Sequence, residues 1–211
     1  MPGMSDYAAK KVLELLTGKT AFAQPTCYLA LFTTMPADDG TGGVEVSGGA
    51  YARVLLTGLW ASATGSAPSS IANGTLIQFA TATADWGTVV GFGIYDALTS
   101  GNLLISDWLG NYAWSPFSCT LASPGVLTVP AHGFANGDSV VVASEFGGTL
   151  PTTGGSWSGV KTVANVTTDT FTAGVNTTGT GSGLVRKTVS QSNPRGVQFQ
   201  FPIGNLTAFA A

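Results

Sequence analysis

Hydrophobic and polar residues follow two different periods along this chain. The apolar residues of the first segment, residues 5–17, recur at the i, i+4, i+7, i+8 spacing of an α-helix and are Ala8, Val12, Leu15 and Leu16. Ser5 or Asp6 is placed to cap the N-terminus of this helix, and Gly18 is placed to end it. From residue 26 onwards the period shortens to two, which is typical of β-strands. The pattern therefore predicts an all-β chain with one short N-terminal helix.

A helix of this length is only marginally stable alone in water, so its apolar stripe must pack on another surface. That surface is either the core of the same subunit or a neighbouring molecule. We take Val12, Leu15 and Leu16 as the residues of a candidate docking helix.

The predicted strands fall into two groups with different composition. Those of the first group cover residues 26–33, 50–58, 75–79, 88–95, 103–108 and 195–201. Those of the second group are shorter, lie in a stretch dense in Thr, Gly, Val and Asn, and cover residues 125–129, 139–144, 160–166, 170–175 and 183–187. We therefore predict two β-sandwich or barrel-like domains. The first comprises residues 1–117 plus 188–211, and the second, residues 118–187, is inserted in one of its loops.

The composition narrows the classes of function. Charged residues make up 9% of the 211 residues, against roughly 25% in an average soluble domain, which favours a subunit whose faces are covered by neighbours. The net charge is −3 and the cations are scattered, so we expect no nucleic-acid binding. No apolar window long enough to span a membrane and no signal-peptide pattern is present, so we expect no membrane insertion.

The two cysteines, Cys27 and Cys119, lie far apart in sequence, which fits reduced thiols of a protein that folds in the cytosol. A disulfide between them is the open alternative.

Groups that carry out chemistry are scarce. His132 is the one histidine, and its turn-like surroundings favour a structural hydrogen bond over catalysis or zinc binding. Asp38, Asp39 and Glu45 lack the alternating spacing of a calcium loop and read as an acidic turn. The carboxylates considered for glycoside hydrolysis are Asp85, Asp96, Asp107 and Glu145, and nothing in the sequence aligns them as a facing pair. Asp85 and Asp96 fit strand ends that bind turn amides. We predict no enzyme, no cofactor and no metal site.

Tryptophan is the residue type of this chain that most suggests binding to a receptor or a neighbouring subunit. The five tryptophans are Trp60, Trp86, Trp108, Trp114 and Trp157. Buried core or interface is the default for such side chains, and we place Trp86 and Trp108 in the core of the first domain. Trp157 lies in a glycine-rich loop, so we retain it as a candidate contact to a receptor or a neighbouring subunit.

Several short motifs, taken in order, resemble a family of tailed-bacteriophage virion proteins described as tail fibre or minor tail proteins. They are Leu15-Leu-Thr-Gly18, Tyr28-Leu-Ala-Leu-Phe-Thr-Thr-Met-Pro36, Glu45-Val-Ser-Gly-Gly-Ala-Tyr-Ala-Arg53, Thr81-Ala-Thr-Ala-Asp-Trp-Gly87, Gly93-Ile-Tyr-Asp96 and Gly101-Asn-Leu-Leu104. Residues 199–206 resemble the closing strand of that family. The stretch 118–187 is an addition to the simple family pattern, and residues 127–138, 148–151 and 163–171 within it are similar to a β-module of phage structural proteins.

The resemblance implies an architectural role in a virion. We expect a tail fibre, tail tip or baseplate-associated protein, made in the host cytoplasm, that acts through protein–protein contacts and displays an outer β domain. The expected partners are further copies of itself as a homotrimer, other virion proteins, and a host surface glycan or receptor. The alternatives are a capsid decoration or head-fibre protein, a host-carbohydrate receptor-binding module, and a polysaccharide depolymerase.

Overall fold

The protein is represented by a computed structural model that describes residues 3–65, 69–110, 112–144 and 150–210. The chain divides into two compact units. Unit one consists of Met1–Asn111 together with Ser190–Ala211, and unit two of Tyr112–Val189. One short helix and many strands make up the regular structure of the described residues, so the all-β prediction is confirmed.

Unit one contains the helix and strands from both of its segments. The helix α1 spans Asp6–Leu16. The strands before the insertion are β1 (Gly3–Met4), β2 (Tyr28–Thr34), β3 (Val44–Glu45), β4 (Val54–Leu55), β5 (Ser69–Ala72), β6 (Ile77–Thr81), β7 (Thr88–Val89), β8 (Gly91–Tyr95) and β9 (Leu103–Trp108). The strands of unit two are β10 (Ser115–Cys119), β11 (Val126–Thr128), β12 (Ser139–Ala143), β13 (Lys161–Thr162), β14 (Thr170–Thr172) and β15 (Gly181–Thr188). The strands after it are β16 (Gln191–Ser192), β17 (Gln198–Phe201) and β18 (Thr207–Ala210).

The main sheet of unit one is antiparallel, and its central strands β2 and β8 are buried on both faces. Its described strands follow the order β1-β9-β8-β2-β3, and β4 also pairs with β2. Leu29 and Leu31 point to the larger core, whereas Ala30 and Phe32, one residue out of phase, enter a second small cluster with Tyr95. Strands buried on both faces lose the alternation of apolar and polar residues, which explains the continuous apolar run in β2.

A second layer closes the larger core and joins the two segments of unit one. Three two-stranded pairs, β5 with β18, β6 with β17 and β7 with β16, each combine a strand from before the insertion with one from after it. The aromatic residues that fill this core are Phe79, Trp86, Phe92, Phe199 and Phe201. Residues 190–211 are therefore an integral part of unit one.

Close approach of the backbone explains a glycine of β8. A Cβ atom placed on Gly93 would lie 2.7 Å from the Phe32 ring and 3.0 Å from the Leu103 side chain. A side chain at this position would displace both core residues, so only a glycine lets the β8 backbone approach them this closely.

Unit two is barrel-like. Its described strands form one antiparallel sheet in the order β13-β12-β15-β10-β11-β14. Just beyond β13, Ala164 exchanges two backbone hydrogen bonds, of 2.9 and 2.8 Å, with Thr172 of β14. Hydrogen bonding therefore runs from one edge of the sheet round to the other, which leaves little free edge. The core includes Phe171, Leu127 and Val185, all 0% exposed.

The ends of unit two lie side by side. Ser115, near its start, pairs with Val185, near its end. In unit one, Leu109 donates to the Val90 carbonyl at 2.9 Å, and Gln191 pairs with Val89. The chain therefore leaves unit one and returns to it at neighbouring positions.

Two predicted strands are much shorter than expected, and these predictions are wrong in extent. Residues 50–58 contain only the two-residue β4, and both ends of this range, Ala50 and Gly58, have positive φ, which extended backbone does not. Residues 160–166 contain only β13, and Asn165 has a φ of 53°. Period-two patterns do not reveal such left-handed positions.

Candidate functional site

The motif residues of unit one converge on Arg53. Its guanidinium binds both carboxylate oxygens of Glu45: Nε donates to Oε1 at 2.9 Å and Nη2 to Oε2 at 2.7 Å. Nη1 donates to the carbonyls of Ala97 at 2.9 Å and Ser100 at 2.7 Å. The planar fork of arginine suits this arrangement, because all of its edges are used. Arg53 thus ties Glu45 to the turn between β8 and β9.

Two tyrosines complete this arrangement. The Tyr51 hydroxyl donates to Glu45 Oε1 at 2.9 Å and accepts the backbone N–H of Leu31 at 2.9 Å. The Arg53 guanidinium lies 3.7 Å from the centre of the Tyr95 ring, which is a close cation–π contact. We call Glu45, Tyr51, Arg53 and Tyr95 the Arg53 cluster.

The electrostatics of the Arg53 cluster favour a fixed structural pair. Burial opposes the charge of Arg53, but the hydrogen bonds and charge of Glu45 outweigh it and raise the pKa of the guanidinium. Burial is also the main reason that the pKa of Tyr51 is raised, so its hydroxyl stays protonated and keeps donating to Glu45. These groups hold one another in place, which is the behaviour of a clamp and not of a nucleophile or a general base.

Two of the four carboxylates considered for hydrolysis bind turn amides, as expected. Asp85 accepts the Gly87 N–H at 2.7 Å, and Asp96 accepts the backbone and side-chain N–H groups of Asn102 at 2.6 and 2.8 Å. Glu145 lies outside the described residues.

The acidic turn and the histidine also have structural partners. Asp39 accepts the backbone N–H of Thr41 at 2.9 Å and its hydroxyl at 2.7 Å, and these bonds lower the pKa of Asp39. His132 accepts the Phe134 N–H at 2.9 Å through Nδ1, which confirms its predicted role in a turn. In the described part of the chain, no cluster of three or more His, Cys, Asp or Glu residues could hold a metal ion. Both cysteines are free thiols.

A cavity of about 130 Å³ adjoins the Arg53 cluster. Its lining includes Tyr7 at the start of α1, Asp38 and Asp39 from the acidic turn, and Tyr95 and Asn102 from β8 and the following turn. The pattern of the sequence gives no direct signal for this cavity, because its walls come from three separate segments.

The position of Trp157 corrects our expectation for that residue. Trp157 is 7% exposed, packs against Phe117 in the core of unit two, and donates through Nε1 to the Pro151 carbonyl at 3.0 Å. A ring with so little exposed surface offers almost nothing to a receptor, so we no longer regard Trp157 as a contact residue. A glycine-rich loop can fold its aromatic residue inward, which the sequence does not show. Trp86 is buried at 4%, as expected, whereas Trp108 is half-buried.

The helix packs on unit one along a narrow strip. Ser5 caps it by accepting the Ala8 N–H at 3.2 Å, and its hydroxyl donates to the Leu103 carbonyl. Ala8 is buried and Val12 half-buried, whereas Leu15 is 46% and Leu16 77% exposed. Leu13, which we did not single out, is 62% exposed. Ala9, Leu13 and Leu16 recur at i, i+4, i+7, a signal that could have revealed this second stripe.

Comparison with known protein families identifies the family to which unit one is similar. Residues 3–112, more than half of the chain, match the family described as Podophage GP4 fiber I protein gp80. The chain belongs to this phage fibre family. The match ends where unit two begins, and it contains all the residues of the Arg53 cluster. No curated protein matches the chain.

Membership in the gp80 family gives the protein a structural role in a bacteriophage virion. The expected phage fibre-type family is therefore confirmed at this level. Among the described residues, no helix is both long and apolar enough to cross a membrane.

Proposed function

We propose that this gp80-family protein is a tail-associated fibre subunit that attaches to the virion through unit one and displays unit two. The observation that carries this proposal is the exposed apolar face of α1 in a chain whose family is structural. Leu13 and Leu16 are 62% and 77% exposed although the helix is otherwise anchored to its own unit.

The exposed face has the character of a contact surface. Its leucines lie close together on one side of a short helix, whereas single exposed apolar residues elsewhere are ordinary. Helices that present apolar residues at i, i+4, i+7 are a common means of docking into a partner. The low charge of the chain supports the same conclusion, because fewer charged side chains need to be removed from water on assembly.

The Arg53 cluster supports a structural function over an enzymatic one. Its charged atoms bind one another and fix the turn between β8 and β9, which stiffens the unit that would carry mechanical load.

The position of the protein on the virion is tested by measuring its copy number per purified particle. Quantitative mass spectrometry against the major capsid protein gives this number. A few to tens of copies, in multiples of three or six, would support a tail fibre, tail tip or baseplate subunit. Hundreds of copies would overturn the tail assignment in favour of a capsid decoration or head-fibre protein.

The docking surface has its own test. We expect the Leu16→Ser variant to stay folded but to be incorporated into particles less than the native chain. The loss should be larger for the double variant that also carries Leu13→Ser. Ile203→Ser is the matched control, because Ile203 is 67% exposed in the same unit. Normal incorporation of the double variant, or equal loss with the Ile203 variant, would contradict docking through α1.

We also propose that the protein forms a homotrimer, because closed symmetry is the rule for self-associating subunits. Analytical ultracentrifugation of the purified chain, alone and with the virion fraction, tests this. A monomer under both conditions would exclude self-assembly.

A further inference from the structure

Among the described residues of unit one, two asparagines are buried, and their side chains differ in hydrogen bonding. Asn73 is 1% exposed. Its Nδ2 donates to the carbonyls of Thr75 at 2.7 Å and Pro202 at 2.9 Å, and its Oδ1 accepts the Leu206 N–H at 2.9 Å. Asn193 is 0% exposed, and neither its Nδ2 nor its Oδ1 has a hydrogen-bond partner among the residues that the structure describes. A buried amide without partners is costly, so the Asn193 side chain points to a further bound group.

The backbone of Asn193 fixes the position of this side chain. Its N–H donates to the Gly87 carbonyl at 3.0 Å, and its carbonyl accepts the Trp86 N–H at 3.1 Å. A backbone shift that brought the amide to a protein partner would break these bonds. The second segment of unit one begins at Ser190, so Asn193 lies where the chain returns from unit two. The unpaired amide is therefore held at the seam between the two segments of unit one.

The chemistry of the amide selects the class of ligand. Its oxygen needs a donor, and its two N–H groups need acceptors. A cation would bind Oδ1 and leave Nδ2 unpaired, whereas an anion would do the reverse, and an unpaired buried charge is itself costly. In the part of the chain that the structure describes, no group of three or more His, Cys, Asp or Glu residues could hold a metal ion. Water both donates and accepts, and it is small enough for a fully buried position.

We propose that an ordered water molecule is bound to the Asn193 amide inside unit one, at the seam between its two segments. A buried water typically forms about three hydrogen bonds. Carbonyl oxygens have two lone pairs, so backbone carbonyls that already pair the two segments can also accept from this water. The water then links the returning segment to the segment that contains Trp86 and Gly87. This site is independent of the proposed attachment role and holds wherever the protein is located on the virion.

Water-selective NMR of the isotope-labelled full-length chain tests the proposal. We expect cross-peaks between the water resonance and the side-chain amide protons of Asn193, with nuclear and rotating-frame Overhauser effects of opposite sign, which indicate a long-lived water. Asn73 is the matched control and should show no such peaks, because its amide binds protein groups. The Asn193 peaks should persist in Ser192→Ala, which removes relay through the neighbouring hydroxyl. Absence of the Asn193 peaks, their loss in Ser192→Ala, or equal peaks at Asn73 would overturn the proposal.

The Asn193→Leu variant distinguishes an amide that binds water from one that is simply unpaired. If the amide binds water, leucine displaces it and leaves the other partners of the water unpaired, so we expect Tm to fall by about 3–6 °C. If the amide is unpaired, leucine removes the cost of burying it and Tm rises. Magnetic relaxation dispersion of the water oxygen should show that the variant has lost about one long-lived water.

Asn73→Leu is the matched variant for this comparison. It should also lower Tm, because it breaks the bonds of the Asn73 amide, but it should leave the number of long-lived waters unchanged. An unchanged or raised Tm for Asn193→Leu, or an unchanged number of long-lived waters in that variant, would refute the water site. The Overhauser measurement uses the native chain, so it tests the proposal even if Asn193→Leu does not fold.

Discussion

An ion pair of unit one and an ion pair of unit two differ in how far they are buried. In unit one, Arg53 is 7% exposed at its side chain, binds Glu45 through two edges and also binds two carbonyls. In unit two, Lys187 binds Asp138 through one 2.7 Å contact with its side chain 31% exposed. Arg53 also ties the first pair to the distant carbonyls of Ala97 and Ser100, whereas the second pair lies beside a sheet whose strands already specify the fold. The nitrogen–oxygen distances of the two pairs are similar, so the comparison teaches that the burial of an ion pair decides what it contributes to folding stability.

The two units also differ in how their strands are connected. Unit one pairs strands from before and after the insertion, so its folding requires long loop closures. Unit two is continuous in sequence and closes its own sheet through Ala164 and Thr172.

The largest expected effect comes from removing unit two. Replacing residues 112–189 by a short glycine-serine loop should leave a soluble, folded unit one, because the positions to be joined pair with Val89 and Val90. Circular dichroism and cooperative unfolding of the shortened protein check this. Aggregation of the shortened protein would contradict an inserted, separable domain.

A substitution in the core of one unit should destabilise that unit and leave the other unit unchanged. Phe79→Ala and Phe171→Ala each delete a side chain that is at most 1% exposed, at an expected loss of about 3–5 kcal/mol in the free energy of unfolding. Hydrogen exchange measured by mass spectrometry should show faster exchange in unit one for the first variant and in unit two for the second. Equal acceleration in both units after either substitution would show that they unfold together.

Breaking either of the two ion pairs should have the next largest effect on the free energy of unfolding. Arg53→Met should destabilise unit one by about 3 kcal/mol, near the lower end for a broken buried pair because Glu45 keeps 27% exposure. Lys187→Met is the matched change in unit two and should cost no more than about 1 kcal/mol. Urea unfolding of both variants measures the difference. A loss for Lys187→Met as large as that for Arg53→Met would refute the role of burial.

The smallest effect is the pH dependence of the unit-two pair. The hydrogen bond with Lys187 lowers the pKa of Asp138, and the bond with Asp138 raises the pKa of Lys187. Asp138 thus contributes stability above the unfolded carboxyl pKa of about 3.9, and this is lost as pH falls through its lower folded value. Lys187 contributes below about pH 10.4, and this is lost as pH rises through its higher folded value.

Thermal unfolding across pH, compared between the native chain and Asp138→Asn, tests these signs. The difference in stability should be present at pH 7 and shrink as the pH falls below about 4. A difference that grows on acidification would contradict the assigned direction.

Much of unit one could be predicted from short patterns. The helix and its Ser5 cap, the strand β9 and the turn-binding roles of Asp85 and Asp96 all follow from local spacing, because each depends on residues near in sequence. The exposed Leu13 and the buried Trp157 could not be predicted with the same ease. Their exposure depends on which surfaces pack against them, and that is a property of the whole unit.

The sequence by itself determined the all-β class, the short helix, the scarcity of reactive groups and the phage fibre family, because composition, period and local motifs carry this information. Only the tertiary structure decided that Glu45, Tyr51, Arg53 and Tyr95 meet, and that a cavity opens beside them. The physical reason is that these side chains come from strands and turns up to fifty residues apart. Their meeting depends on the register of β2 with β8 and on the turn at Gly48–Ala50, which no local pattern specifies.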